Sequence, residues 1–308
     1  MEYSVIIPVY NEEKVIGETY NRLKATLDST SVPYELIFID DGSRDSSKDI
    51  IKTLCQKDQK VKLIAFSRNF GHQTAISAGL DHASGKALII IDADLQDPPS
   101  VILEMIKKWK EGYEVVYGQR TGRKGEGIFK KMTAAVFYRL FKSLSQYDMP
   151  LNAGDFRLID LKVAEALKSF REKNRYLRGL ISWLGFKQTK VEYVREERFA
   201  GQTKYSLSKM LKLSWDAITS FSYIPLRLAA YLGFLVSGLS FIYLLVVIYQ
   251  ALFTNTTVPG WASLIAINLL FNGIVLIILG IFGEYLGRIY EETKNRPLYI
   301  ISDKIGLK

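Results

Sequence analysis

The chain has 308 residues, 48% hydrophobic and 24% charged, with a formal net charge of +9 and a single cysteine. These averages hide a division, because no Asp, Glu, Lys or Arg occurs in the 56 residues from Leu228 to Gly283. A charged head of 227 residues followed by such a stretch excludes a purely soluble protein, a disordered chain and a disulfide-stapled secreted domain.

YSVIIPVY, residues 3–10, reads as a strand and not as a signal peptide. NEEKVIGETYNRLKATLDS (11–29) reads as a helix, with Asn11 as N-cap and Glu12 and Glu13 in its first turn. YELIFIDD (34–41) is a strand ending on carboxylates. SRDSSKDIIKTLCQKD (43–58) is a helix, in which Cys55 reads as a small buried apolar residue. VKLIAFSR (61–68) is a strand and NFGHQTAISAGLDHAS (69–84) a helix. KALIIIDADL (86–95) is a strand, PPSVILEMIKKWKEG (98–112) a helix and YEVVYGQR (113–120) a strand. Near-continuous apolar strands joined by helices indicate an α/β head, a parallel sheet covered on both faces. Ligands of such sheets bind beyond the carboxyl ends of the strands. The polar residues gather there: Asn11 and Glu12, Asp40 and Asp41, Ser67 and Arg68, Asp92 to Asp97, and Arg120.

The strongest chemical signal is DADLQDPP (92–99). Asp92 and Asp94 end a buried strand, and Asp94 and Gln96 add oxygen donors from the turn. A hard cation such as Mg2+ or Mn2+ suits such a set, completed by phosphate oxygens. An acidic turn without a metal fits a lone D-x-D equally. In IDDGSRD (39–45), Asp40 suits a base imide or a ribose hydroxyl, whereas Asp41 and Ser43 suit a cap and turn. Neither G-x-G-x-x-G nor G-x-x-x-x-G-K-[ST] occurs, which removes the main support for dinucleotide oxidoreductases and P-loop NTPases. His72 lies in a polar turn within reach of a ligand. His82 reads as a helix-surface residue, and no zinc spacing is present.

Residues 120–142 are rich in Arg and Lys (Arg120, Arg123, Lys124, Lys130, Lys131, Arg139, Lys142), with Gly122, Gly125 and Gly127 among the first of them. This suits a phosphate-binding loop that closes over a substrate, or a solvated basic face. NAGDFRL places Asp155 and Arg157 in a polar turn. REERFAGQTKYSLSK (195–209) is a second basic loop. SLSKMLKLSWDAITSFS (206–222) has the spacing of an amphipathic helix on an anionic leaflet, a pattern an ordinary packed helix shares.

Leu228–Phe253 and Trp261–Phe282 give apolar runs of 26 and 22 residues, joined by TNTTVPG. At ~1.5 Å per residue each spans a ~30 Å hydrocarbon core, which predicts a two-helix transmembrane hairpin. Lys204, Lys209, Lys212 and Arg227 precede it and Arg288, Lys294 and Arg296 follow it, so head and tail are expected on the cytoplasmic side. The expected layout is a head over 1–205, a juxtamembrane helix over 206–227, two spans over 228–283 and a tail over 284–308. Subtracting the tail's five basic and four acidic residues leaves 36 and 28 in residues 1–227, a net of +8.

The order IPVYNEE, IDDGSRD, SRNFGHQ, DADLQDPP, GQR, NAGDFRL and RFAGQTKYS resembles the family-2 glycosyltransferases of GT-A (Rossmann-like) fold. It is most similar to the polyprenyl-phosphate group, which holds the dolichol-phosphate mannose synthases and the bacterial bactoprenol (undecaprenyl-phosphate) glucosyltransferases. The Q-x-x-R-W motif of the processive synthases is absent. The resemblance implies that Pro8, Tyr10, Glu12 and Asp40, with Asp92, hold a nucleotide sugar. It implies that Asp92, Asp94 and Gln96 bind the metal and diphosphate. Arg120 and Lys131 would meet the lipid phosphate, and Arg198 and Lys204 would close over the diphosphate. Asp155 falls where the family places its proposed base.

The reaction so implied is inverting transfer of a hexose, UDP-glucose being the favoured donor, to polyprenyl phosphate at the inner membrane, for cell-envelope glycosylation. A phosphate monoester carries ~1.5–2 negative charges at pH 7 and scarcely needs a base. Asp155 is therefore expected to position Arg157 or the sugar. The basic loops suit an acidic donor and acceptor. Nothing calls for a nucleic-acid partner, and a homo-oligomer is compatible with the sequence. Two other readings stand: a membrane-anchored sugar-phosphate nucleotidyltransferase, and a non-catalytic lipid-carrier-binding subunit.

Overall fold

The computed structural model describes residues 1–121, 153–170, 172–173, 175–196, 224–253 and 260–307. The chain divides into two compact units, Met1–Lys212 with Arg296–Lys308, and Leu213–Asn295.

The first unit is built on eight strands: β1 (Tyr3–Val9), β2 (Tyr34–Asp40), β3 (Val61–Phe66), β4 (Ala87–Ile90), β5 (Val115–Arg120), β6 (Ala153–Asp160), β7 (Gln188–Tyr193) and β8 (Ile301–Ile305). Their order across the sheet is β7-β5-β6-β4-β1-β2-β3-β8. β1 pairs in parallel with β2 and β4, β2 with β3, and β5 with β7. β6 and β8 run antiparallel to their neighbours. The expected parallel sheet is thus a mostly parallel, mixed one. The reversal of β6 matters for the site. It carries the beginning of that strand, with Asp155, to the edge where the parallel strands end.

Helices α1 (Ile16–Asp28), α2 (Ser47–Lys57), α3 (His72–His82), α4 (Val101–Lys110), α5 (Leu161–Lys168) and α6 (Leu177–Trp183) complete the unit. Alternation along the strands feeds two layers. Tyr3, Val5, Ile7, Leu36 and Phe38 join Leu23, Leu27, Ile51, Ile102 and Met105 of α1, α2 and α4 in one core. Ile6 and Ile39 turn to the other face, against α3. There a Cβ on Gly79 would fall 2.3 Å from Ile6 Cγ2, so only glycine allows the helix this close.

Helix α1 starts at Ile16, four residues later than Asn11 as N-cap would set it. Asn11 has φ +54°, a left-handed conformation that asparagine tolerates, and caps nothing. Its Oδ1 accepts from the Arg44 amide at 2.8 Å and its own amide donates to Ser43 Oγ at 2.9 Å. The residue ties the turn after β1 to the turn after β2.

The segment read as a tail supplies β8. Tyr299 stacks on Phe66 at 5.1 Å and donates to Asp81 Oδ2 at 2.9 Å, and Lys52 pairs with Asp303 at 2.6 Å. Deleting residues 297–308 would expose β3 as a bare edge. Losing the ladder, the stack and the Tyr299 bond together costs about 2–4 kcal/mol. The head is expected to melt roughly 5 °C or more lower in a thermal shift assay, with Tyr299→Ala giving part of that drop.

The second unit holds α7 (Ile224–Phe253) and α8 (Trp261–Thr293), helices of 30 and 33 residues. Their apolar side chains face outward, with Phe234 77% and Leu276 68% exposed. Among the described residues one stretch, Leu270–Thr293, is long and apolar enough to cross a membrane, and the apolar run in α7 is the shorter Leu228–Tyr243. One candidate crossing stands where the sequence leads one to expect two.

Candidate active site

The site is assembled at the carboxyl ends of β1, β2 and β4 and the start of β6. Asp40 ends β2 and Asp41 follows it, both nearly sealed from solvent. Asp40 accepts from the Ser43 amide at 3.3 Å, and burial raises its carboxyl above the usual range. Asp41, expected to cap a turn, instead braces the loop before α3. Its carboxylate accepts from the amides of Phe70 (2.6 Å) and Gly71 (3.0 Å) and from Asn69 Nδ2 (2.9 Å). Gly42 between these turns has φ +67°, and a Cβ there would lie 2.4 Å from the Arg68 carbonyl carbon. Pro8 is buried within β1 opposite Ile39, while Tyr10 and Glu12 lie in the turn beyond it, half-buried. The Glu12 amide donates to Ser47 Oγ at 2.9 Å.

The DADLQD turn follows β4. Asp94 Oδ1 accepts from the Gln96 amide at 3.1 Å, and Leu95 is held at φ +57°, a strained conformation for a side chain without local polar bonds. Thr19 of α1 donates to the Ala93 carbonyl at 2.8 Å, and the Glu196 amide donates to the Gln96 carbonyl at 2.9 Å. The turn is therefore clamped from both sides. Asp92 Oδ1 is buried and makes no hydrogen bond. Burial, then Asp155, Asp97 and Asp94, push the Asp92 carboxyl up to about 6, against the pull of His72. An orphaned buried oxygen among carboxylates fits a hard cation. Among the described residues no three Asp, Glu, His or Cys side chains converge enough to hold an ion alone.

Asp155 of β6 is held from three sides. Its side chain is 9% exposed. Arg178 of α6 meets it as a fork, Nε to Oδ1 at 2.8 Å and Nη2 to Oδ2 at 2.9 Å. Gln73 Nε2 donates to Oδ2 at 3.3 Å, and His72 Nε2 lies 3.3 Å from Oδ2 and 3.5 Å from Asp92 Oδ1. Burial alone would raise this carboxyl, but Arg178 and His72 hold it well below the usual range. Arg157, an expected partner, is buried beside it without bonding it, its Nη2 donating to the Gly154 carbonyl at 2.9 Å. Asp155 is therefore paired with Arg178 and not with Arg157.

Partial burial opposes charge on His72, but Asp92 and Asp155 outweigh it and push the imidazole up to about 9. His82 is lowered by burial. The chain has only these two histidines. In the metal-free protein, imidazole NMR resonances should therefore titrate apart, one near pH 9 and one below 6.5. A folded pKa above the unfolded one stabilises fully below pH ~6.5, and that contribution disappears as pH rises through about 9. A His72→Gln chain should show the lower titration alone.

Arg120 sits at the end of β5, 19% exposed, its Nε donating to Tyr193 Oη at 3.2 Å and its Nη2 3.6 Å from Asp97 Oδ1. Asp97 also accepts from Tyr193 Oη at 2.5 Å, and Arg195 Nε lies 3.4 Å away. One sealed carboxylate thus gathers two guanidinium groups beside the acidic turn.

Of the expected site residues, Pro8, Tyr10, Glu12, Asp40, Asp92, Asp94, Gln96, Arg120 and Asp155 all fall on this edge. Lys131, Arg198 and Lys204 lie outside the described residues, as does the 206–222 helix. Gln73, Asp97, Arg178, Tyr193 and Arg195 were not singled out. Asp97 stands inside the DADLQDPP motif, but Gln73 and Arg178 lie 82 and 23 residues from Asp155 and carry no local signal.

Residues 4–168 match glycosyl transferase family 2. An uncharacterized glycosyltransferase of Bacillus subtilis, YkcC, is 60% identical over 308 residues, covering 100% of this chain and 95% of that protein. A prophage bactoprenol glucosyl transferase homolog of Escherichia coli is 42% identical over 301 residues, 98% of each chain. A crystal structure of glucosyl-3-phosphoglycerate synthase from Mycobacterium tuberculosis, in complex with Mn2+, UDP-glucose and phosphoglyceric acid, aligns with 70% of this chain and 77% of that one, at 19% identity and a TM-score of 0.46. The family match and the two relatives set aside the nucleotidyltransferase and the non-catalytic subunit: the chain belongs to glycosyl transferase family 2 and is a glycosyltransferase.

Proposed function

We propose that the protein transfers glucose, with inversion, from UDP-glucose to a polyprenyl (undecaprenyl) phosphate at the cytoplasmic face of the plasma membrane, making a lipid-linked sugar for the cell envelope. One juxtaposition carries the reading. Asp92 follows a strand flanked by β1 and β6, and His72 stands between it and Asp155. A donor held over β1, β2 and β4 would then present its sugar toward β6. The E. coli relative's name, a bactoprenol glucosyl transferase homolog, supports the sugar and the acceptor.

Asp40, with Pro8, Tyr10 and Glu12, would hold the nucleotide. Asp92, Asp94 and Gln96 would hold Mg2+ or Mn2+, which when bound supplies charge neutralisation on the leaving diphosphate. An acceptor phosphate oxygen forms the new bond to the anomeric carbon as the bond to the diphosphate oxygen breaks, and the electron pair leaves with UDP. No proton need be removed from a phosphate dianion. Arg120 and Lys131 would meet the lipid phosphate, and Arg198 and Lys204 would close over the diphosphate, where they would stabilise the charge that develops.

The second unit would anchor the head as a hairpin of α7 and α8. Two facts support two crossings. Phe234, Leu235, Leu276 and Ile277 are all more than 60% exposed, which suits lipid and not water. The chain also leaves the first unit at Lys212 and rejoins it at Arg296, so a chain that crosses must cross back. Lys and Arg at both outer flanks favour the cytoplasmic side.

The test incubates the purified protein with labelled UDP- and GDP-sugars and polyprenyl phosphate, with and without EDTA. Label in the lipid fraction from UDP-glucose, lost with EDTA, is the expected result. Label from another donor would reassign the sugar. Absence of lipid label from every donor would overturn the acceptor.

A further inference from the structure

Three cationic side chains surround Asp155: His72, Arg157 and Arg178. They differ in where their charge can go. The Arg157 guanidinium is spent on the Gly154 carbonyl, and the residue is 5% exposed. His72 is shared between Asp92 and Asp155. Arg178 differs, because its fork to Asp155 occupies Nε and one N–H of Nη2, which leaves three of its five N–H groups outside the pair. Exposure is also unequal within the pair. The carboxylate side chain is 9% exposed and the arginine 33%, so the open side of a nearly neutral pair is its cationic side.

The mounting is rigid. Gln73 donates to Asp155 Oδ2 at 3.3 Å, and its Oε1 accepts from the Leu177 amide at 3.1 Å, which fixes the backbone next to Arg178. A single side chain from α3 therefore sets both members of the fork. The location is also specific. Asp155 and Arg178 lie on the β6 side of β4, whereas Asp40 and the turn after β1 lie on the other side. Arg120 and Arg195, on the far side of the acidic turn, are turned toward Asp97.

Resting on the function proposed above, we infer that Arg178 is a further receptor for the phosphate monoester of the acceptor, beside Arg120 and Lys131, with Asp155 and Gln73 as the residues that aim it. A fixed guanidinium on the more exposed side of the pair, with N–H groups left over, matches the planar bidentate recognition of a phosphate. It would place the nucleophilic oxygen across β4 from the leaving diphosphate, as inversion at one carbon requires. The residue lies on α6, far in sequence from the basic stretches at 120–142 and 195–209.

The experiment measures initial rates of the full-length protein in detergent with farnesyl phosphate as acceptor and UDP-glucose as donor, for the wild type, Arg178→Lys and Arg178→Gln. Inorganic phosphate serves as a competing probe, because a site for a bare phosphate and one for a prenyl phosphate share this chemistry. The acceptor KM is expected to rise about 10- to 100-fold in Arg178→Gln and less in Arg178→Lys, as for loss of a charge-assisted pair. The donor KM should stay within about twofold. Phosphate should compete with acceptor in the wild type and lose potency in the variants. Arg178→Lys keeps the charge and guards against a folding defect in Arg178→Gln. An unchanged acceptor KM, or a rise confined to the donor KM, in variants of an active wild type would overturn the assignment and leave the glycosyl transfer standing. A wild type that transfers to no prenyl phosphate would overturn both.

Discussion

Replacing Asp155 by asparagine is expected to lower transfer by about 10- to 100-fold, mainly through the acceptor KM, while leaving donor binding intact. The argument starts from basicity. Arg178 and His72 hold the Asp155 carboxyl well below the usual range despite its burial. The second ionisation of a phosphate monoester falls near pH 6. A proton would therefore rest on the substrate before it rested on Asp155, and such a carboxylate is a poor general base. What asparagine removes is the charge that orients Arg178. It keeps the shape but leaves His72, Arg157 and Arg178 around a neutral amide, at a cost in stability of roughly 1–3 kcal/mol, less than for a fully buried pair because Arg178 is a third exposed. Steady-state kinetics and a melting curve check both parts. An activity loss as large as that of Asp94→Ala would sink the positioning role and restore the base.

Strands β1 to β5 were legible because each is a short apolar run bounded by turn residues, a signal that is local. The acidic turn after β4 was legible for the same reason, since Asp92, Asp94 and Gln96 are neighbours in the chain. Strand β6 was not. Its sequence AGDFRLID reads as a polar turn because Asp155 and Arg157 interrupt the apolar pattern. The burial of Asp155 is tolerated only through partners from α3 and α6, which adjacency in sequence cannot show. Strand β8 was hidden differently. ISDKI alternates apolar and polar residues, but with five residues and two charges it looks like tail, and only the open edge of β3 turns it into a strand. Asn11 was assigned as a helix cap from its residue type and position. Its left-handed backbone and its bonds to Ser43 and Arg44 depend on a turn more than thirty residues away.

Asp94→Ala is expected to abolish measurable transfer, a loss of at least about 10^3-fold, without destabilising the metal-free protein in proportion. Local terms oppose one another. Alanine loses the bond from the Gln96 amide at 3.1 Å, worth about 1 kcal/mol in a turn already strained at Leu95, and the loose pairing with Arg195 at 4.0 Å. It also relieves a crowd of carboxylates, since Asp94 is one of three neighbours that raise Asp92. Removing a like charge from a buried cluster favours the folded state. The melting temperature without metal should therefore stay level or rise, as is common where function stores strain. The distinguishing readout is the ligand response. In the wild type, Mn2+ or Mg2+ with UDP should raise the melting temperature by mass action, because the ions and nucleotide bind only the folded chain. In Asp94→Ala that rise should vanish with the activity. A variant that keeps the full metal-dependent rise yet loses transfer would remove Asp94 from the cation's ligands and leave it as a keeper of the turn. A variant that keeps transfer would remove the acidic turn from the chemistry.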